Sequence, residues 1–340
     1  MFIASVSLMP TREIRFFVEN ILNKGNMLGL DRASLDVYLV EGIRSDEEPN
    51  VLLQVDSYTI FGGFLEALIL KMIYDARDRE IGGVDWVIGE YSSFVENIKD
   101  YEKEILRHTK RYFEKINNIA DALRTLGMKV KVHLSEISSG IELYLAGRYE
   151  IIRDHMTRKV NELSAEGVGE IVVISPFEYS LYEKGYLSQI PTWTMKLRFF
   201  ADVIRKSGKD ISAINKVKVA IFDPYRTPVM MFRQDLRGEV ISAINKIEEI
   251  LGSIKNLEII DKKYDGAPIG YEQLWMINPV VAVDLSKDTL ESYAGRADII
   301  ITARTSTAMI LNVAKEIYGV DIKIYEYSDL ISKLMLGMEI

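Results

Sequence analysis

Ser138, Ser139, Ser175 and Glu178 in one part of the chain, and Tyr225, Arg226, Tyr264, Asp265, Arg304 and Thr307 in another, are the side chains from which a polar site could be built. Arg beside Tyr makes a cradle for a carboxylate or an oxidised sulfur anion, because the guanidinium fork matches planar oxygens and the phenol adds a donor. The competing reading pairs Arg304 with Asp265 or Asp223 in a purely structural ion pair. The serines invite nucleophilic chemistry, yet no spacing supplies their base. The chain has three histidines, at 108, 133 and 155, and His133 falls inside a strand pattern. Glu90 and Glu178 with serine oxygens form a hard-cation set that is one carboxylate short.

These residues sit just past short β-branched runs. Glu170-Ile171-Val172-Val173-Ile174-Ser175 and Asp298-Ile299-Ile300-Ile301-Thr302-Ala303 are close relatives, and uninterrupted Ile/Val with a polar turn behind reads as a strand buried on both faces of a parallel sheet. Open α/β sheets place their sites at the carboxyl ends of such strands. Around them the pattern alternates. Strands are expected at Val84 to Gly89, Lys129 to Leu134 and Glu170 to Ser175, with helices in Asn97 to Leu126 and Glu142 to Glu166. Pro191 suits the first position of a helix running to about Arg205. Then follow strands at Lys216 to Phe222, Leu257 to Asp261, Asp298 to Ala303 and Ile322 to Tyr327. The intervening helices are Met231 to Ile250, Lys287 to Ala294 and Ser306 to Tyr318, and Ser328 to Leu336 closes the chain. The expected fold is α/β: two tandem, pseudo-symmetric Rossmann-like βαβαβ repeats with mainly parallel sheets, at 81–190 and 191–340. Residues 1–80 read as a mostly helical N-terminal extension, with helices at Thr11 to Leu28 and Phe64 to Arg77 around a strand at Ser34 to Leu39.

Composition removes several function classes. A net charge of −8 argues against nucleic acid, which needs a basic face. The absence of cysteine excludes disulfides, thiol nucleophiles and thiolate-held clusters together. Ile60 to Tyr74 is the greasiest stretch, but Glu66 and Lys71 break it short of the roughly 20 apolar residues a bilayer span needs, so it reads as a buried or interface helix. No signal-peptide pattern opens the chain, so a cytoplasmic location is expected, and the Ile-, Glu- and Lys-rich, cysteine-free composition suits a thermophile.

The ordered turns resemble those of the cysteine-rich CCG-domain family, which includes the cysteine-rich component of heterodisulfide reductase and the iron–sulfur component of glycolate oxidase. Gly89-Glu90 stands for the family's Gly-Cys, Ser138-Ser139-Gly140 for Cys-Cys-Gly, and Ser175-Pro176-Phe177-Glu178 for Cys-Pro-x-Cys, with 35 residues between Ser139 and Ser175. In the second repeat Phe222-Asp223-Pro224-Tyr225 is similar to His-Asp-Pro-Cys, and Tyr264 to Gly270 to the Cys-Cys-Gly-Ala-Gly-Gly loop. Gly295 to Arg304 is similar to Gly-Ala-Asp leading into Thr-Ala-Cys-Pro. The resemblance covers roughly residues 84 to 340 and implies a degenerate member: Glu90, Ser138, Ser139, Ser175 and Glu178 occupy the cluster positions of the first repeat, and no thiolate remains to hold iron.

What the resemblance implies is a pseudo-enzyme without cofactor, catalytic residue or metal, incapable of disulfide reduction alone. It would serve as a structural or interaction subunit of a heterodisulfide-reductase-like complex of sulfur metabolism, with other subunits or a second copy as partners and neither nucleic acid nor a membrane span. The alternative is a small-molecule or anion-binding protein that uses the second repeat's vacated pocket, formed by Tyr225, Arg226, Tyr264, Asp265, Arg304 and Thr307.

Overall fold

The computed structural model describes residues 11–30, 42–76, 84–134, 137–145, 149–186, 190–222, 234–263, 275 and 278–340. Two four-stranded sheets, each parallel throughout, organise it. The first comprises β1 (Val51–Gln54), β2 (Val130–His133), β3 (Glu170–Val173) and β4 (Lys196–Phe199), in the order β2-β1-β3-β4. The second comprises β5 (Ser212–Phe222), β6 (Lys255–Lys263), β7 (Ile299–Thr302) and β8 (Lys323–Glu326), in the order β6-β5-β7-β8. Adding four to each strand number of the first order gives the second. The chain is therefore a pair of tandem α/β repeats of Rossmann-like type.

Thirteen α-helices are described: α1 (Thr11–Lys24), α2 (Ser57–Ile60), α3 (Gly62–Ala76), α4 (Val84–Glu96), α5 (Glu102–Arg124), α6 (Ile141–Leu145), α7 (Tyr149–Ala165), α8 (Pro176–Leu181), α9 (Phe200–Ser207), α10 (Gln234–Ser253), α11 (Pro279–Tyr293), α12 (Thr305–Tyr318) and α13 (Tyr327–Met335). Contacts divide the chain into two compact units. One takes 1–57, 123–207 and 229–244 and holds the first sheet; the other takes 58–122, 208–228 and 245–340 and holds the second.

Strand burial follows position in each sheet. β1 and β7 are buried at every residue, as interior strands covered on both faces must be, whereas the edge strands β4 and β8 are buried only at their last residue. The stripe expected on α5 is buried in full: Ile105, His108, Tyr112, Ile116, Ile119 and Leu123. α3 buries twelve of its residues, the packed helix its composition implied. A Cβ on Gly63 would lie 2.5 Å from the Thr109 backbone nitrogen and one on Gly62 2.2 Å from the Tyr112 ring, so only glycine lets α3 and α5 approach this closely. No described helix is long and apolar enough to cross a membrane.

Four expectations about elements change. Val84 to Gly89 is not a strand but the start of α4, whose buried Val87, Tyr91 and Phe94 recur at helical spacing. The strand that lies between β2 and β3 is instead Val51–Gln54, paired on both sides; four residues after an acidic stretch carry too little pattern to announce it. The helix expected from Pro191 begins only at Phe200, because Lys196–Phe199 pairs with β3 as β4. α11 starts at Pro279 rather than Lys287, with the Asn278 side chain accepting from the Val281 amide at 3.1 Å, an Asn-Pro start signal masked by the β-branched residues after it. The strand expected at Ser34 to Leu39 lies outside the described residues.

Candidate functional site

At the carboxyl edge of the first sheet, three strand ends bring polar residues together: Asp56 after β1, Ser138-Ser139 after β2, and Ser175 to Glu178 after β3. Ser175 caps α8, its hydroxyl accepting from the Glu178 amide at 3.4 Å, and Pro176 opens the helix. The serine turn is self-bonded, with Ser138 Oγ accepting from Gly140 N at 3.2 Å and Ser139 Oγ from Ile141 N at 3.4 Å. Gly140 has φ of +79°, and a Cβ there would meet the His155 ring at 3.0 Å. The Ser138 amide donates to Gly25 O at 2.7 Å, which ties the segment after α1 to this turn.

The group at the centre is Glu178. Its carboxyl is buried and hydrogen-bonded to the Ser139 side chain, and its Oε2 has no hydrogen-bond partner among the described residues. Burial first, and then the negative charges of Asp56 and Glu142, push it up to about 8, against the opposing pull of Ser139 and Lys159. Lys159, from α7, is wholly buried; its Nζ donates to Ile137 O at 2.8 Å and to Glu162 Oε2 at 3.2 Å, and burial lowers its pKa. A carboxyl kept neutral in neutral solution can donate a proton where an ordinary one cannot.

Sequence reasoning found the serines and Glu178 but not Lys159, Asp56 or Glu142. The signal for Lys159 was its position on the apolar stripe of α7, between Ile152, Met156 and Leu163, where a cation needs a buried partner. Glu90 does not end a strand. It lies within α4 in the other unit, ion-paired with Lys71. Among the described residues no group of three His, Asp or Glu could hold a metal ion, so the hard-cation reading finds no ligand set.

A histidine does stand beside a serine. His155 Nε2 is 3.3 Å from Ser138 Oγ but 2.9 Å from Ser138 O, and a carbonyl can only accept, so Nε2 carries the proton and cannot take one from the hydroxyl. Nδ1 is buried without a hydrogen-bond partner among the described residues. Burial lowers the pKa of the ring to about 4, and the pair is not a nucleophile with its base.

The carboxyl edge of the second sheet is built differently. β7 ends at Thr302, whose Oγ1 donates to Arg304 O at 2.9 Å, and α12 starts at Thr305; β8 ends at Glu326, which caps α13 by accepting from the Ser328 amide at 3.2 Å. Lys115, from the buried side of α5, links the two ends: its Nζ lies 2.6 Å from Thr305 Oγ1, 3.1 Å from Glu326 Oε2 and 3.3 Å from Thr59 Oγ1. Beside it opens a cavity of about 180 Å³, lined among others by Asn118, Thr305, Asn312, Asp329 and Lys333, with Ala308 and Met309 as apolar wall. Arg304 and Thr307 are buried and do not line the cavity, whose cationic side chains are Arg111, Lys115 and Lys333. Tyr225, Arg226, Tyr264 and Asp265 lie outside the described residues.

A further buried network in the same unit involves Glu66, fully enclosed on α3. It accepts from Tyr112 Oη at 2.6 Å, lies 3.0 Å from His108 Nδ1 and pairs with Arg111. Glu66 Oε2 makes no hydrogen bond among the described residues, and His108, buried on the α5 stripe, is a core histidine whose pKa burial lowers.

No protein-family model matches the chain, and no curated protein matches it. Among solved structures it is similar to a putative Asp/Glu racemase from Yersinia pestis, with 11% identity over 85% of this chain and 98% of that one at a TM-score of 0.33. An aspartate racemase homologue from Pyrococcus horikoshii shares 11% identity over 66% and 93% of the two chains, with a TM-score of 0.31. A periplasmic solute-binding protein of an ABC transporter from Actinobacillus succinogenes, bound to D-allose, shares 12% over 67% and 88%, with a TM-score of 0.22.

Proposed function

We propose that this is a small-molecule-binding protein whose ligand occupies the cavity at the carboxyl edge of the second sheet. The observation that carries the reading is that cavity itself. It lies at the starts of α12 and α13, where helix dipoles favour polar ligands, and pairs amide and charged side chains with an apolar wall. At about 180 Å³ it suits a compound of metabolite size, not a macromolecular segment. A calorimetric screen of small carboxylates, amino compounds, sulfite and thiosulfate should yield a binder. Its affinity should drop about tenfold or more, some 1.4 kcal/mol, when Asn118→Ala and Asn312→Ala are combined. A binder indifferent to that double variant would place the site elsewhere.

A second reading is a cluster-free subunit of a heterodisulfide-reductase-like assembly. In its favour, Ser139 and Glu178, from the two turns that resemble cluster-binding loops, are hydrogen-bonded to each other. Against it, Gly89-Glu90 lies in a helix where the family has a strand end. Gentle purification from native extract distinguishes the readings: a chain recovered alone at its monomer or dimer mass leaves no place for the assembly.

A further inference from the structure

The charges that the cavity leaves uncommitted indicate a ligand class, on the premise that this cavity is the binding site. Its lining carries Arg111, Lys115 and Lys333 against Glu114, Glu326 and Asp329, which sum to zero. Two of the cations are already engaged, Arg111 by Glu66 and Lys115 by Glu326. Glu114 faces Lys110 at 3.9 Å along an exposed helix face.

What remains is on α13. Asp329 and Lys333 are one turn apart, and among the described residues they form no ion pair with each other. Lys333 lies over the Tyr325 ring at 5.8 Å. Among the described residues Asp329 accepts one hydrogen bond, from the Asn118 amide at the 3.5 Å limit. Its carboxyl is held above the usual range, because desolvation outweighs Lys333 and Lys115. On α12 the Asn312 amide lines the same space and makes no hydrogen bond among the described residues.

The geometry points to a small zwitterion of the amino-acid class as the ligand, with its ammonium on Asp329 and its carboxylate on Lys333 and the Asn312 amide. A simple anion would meet Asp329 across this small space, and a simple cation would meet Lys333; only a molecule bearing both charges leaves neither facing its like. Because Asp329 must be ionised to receive an ammonium, binding should weaken as pH falls through the carboxyl pKa, which burial raises.

Titration calorimetry on the full chain tests this with the individual L-amino acids and, for the tightest, its analogues lacking the amine or the carboxylate. The zwitterion should bind at least about tenfold more tightly than either analogue, and Asp329→Asn and Lys333→Met, both at half-buried positions, should each remove most of that preference. A carboxylate analogue that binds as well as the zwitterion overturns the assignment of ligand class while the cavity remains a binding site. If no amino acid, carboxylate or amine binds, the class and the cavity reading both fall.

Discussion

Lys159→Met should destabilise the protein by about 3–5 kcal/mol, the cost of removing one partner from a buried charge cluster. Lys159 is fully enclosed, and Glu162, Glu178 and Glu142 are the carboxylates that act on it. Methionine keeps the volume, so lost packing contributes little; what is lost is the ammonium that these acids surround and the donor to Ile137 O. The remaining carboxyls must then take up protons or leave the interior. Glu178, which Lys159 now holds down, should rise further, so the loss should grow at higher pH. Urea unfolding of the variant, alone and with Glu178→Gln, measures this. Above about pH 8 the pair should be less destabilised than the sum of the singles, because Glu178→Gln removes a carboxyl that would otherwise ionise without its ammonium. A midpoint equal to the parent's would mean that solvent reaches the cluster.

Between pH 6.5 and pH 8 the parent protein should lose about 2 kcal/mol of stability that a Glu178→Gln variant does not lose. The folded protein holds the Glu178 proton up to about 8, whereas the unfolded chain releases it near 4.5. Folding therefore binds the extra proton in that interval, and stability from this group, complete below 4.5, drains away as pH climbs through 8. His155 runs the other way. Its folded pKa of about 4 lies below the ordinary 6.5, so its contribution is present above 6.5 and is lost as pH falls towards 4. The two slopes oppose each other between 4.5 and 6.5, which leaves Glu178 the larger influence just above that range. Thermal midpoints of parent and variant across the range decide the point, since the difference between them isolates Glu178. Parallel curves would show that the carboxyl titrates normally.

The raised pKa of Glu178 and the lowered pKa of Lys159 share one cause, burial. Parallel strands end on backbone that turns into buried helix starts, so polar residues after the strands are enclosed by the helices that follow. In the first unit Lys159 sits among those acids; in the second, Lys115 stands between Glu326 and two threonine hydroxyls, and a cavity remains beside it. The two edges thus differ in what fills them, although the strand orders match.

The sequence by itself determined the elements whose pattern is local. Runs such as Ile299 to Thr302 and the long stripe of α5 are strand and helix under any packing, because period and β-branching act within a few residues. It also placed the serine turn and Ser175 at strand ends, and the repeat of strand and helix is visible in both halves. Val51–Gln54, by contrast, becomes a strand through its neighbours β2 and β3, and Val84 to Gly89 becomes a helix because Val87, Tyr91 and Phe94 share one buried side. Lys115, Lys159 and Glu66 showed in the sequence only as charges on apolar stripes; which carboxylate, hydroxyl or carbonyl answers each was decided by packing, with Thr305 lying 190 residues from Lys115 and Tyr112 lying 46 from Glu66. Such pairing depends on distance in space, to which local pattern is blind, so tertiary structure alone set Lys159 among buried acids and Lys115 beside a cavity.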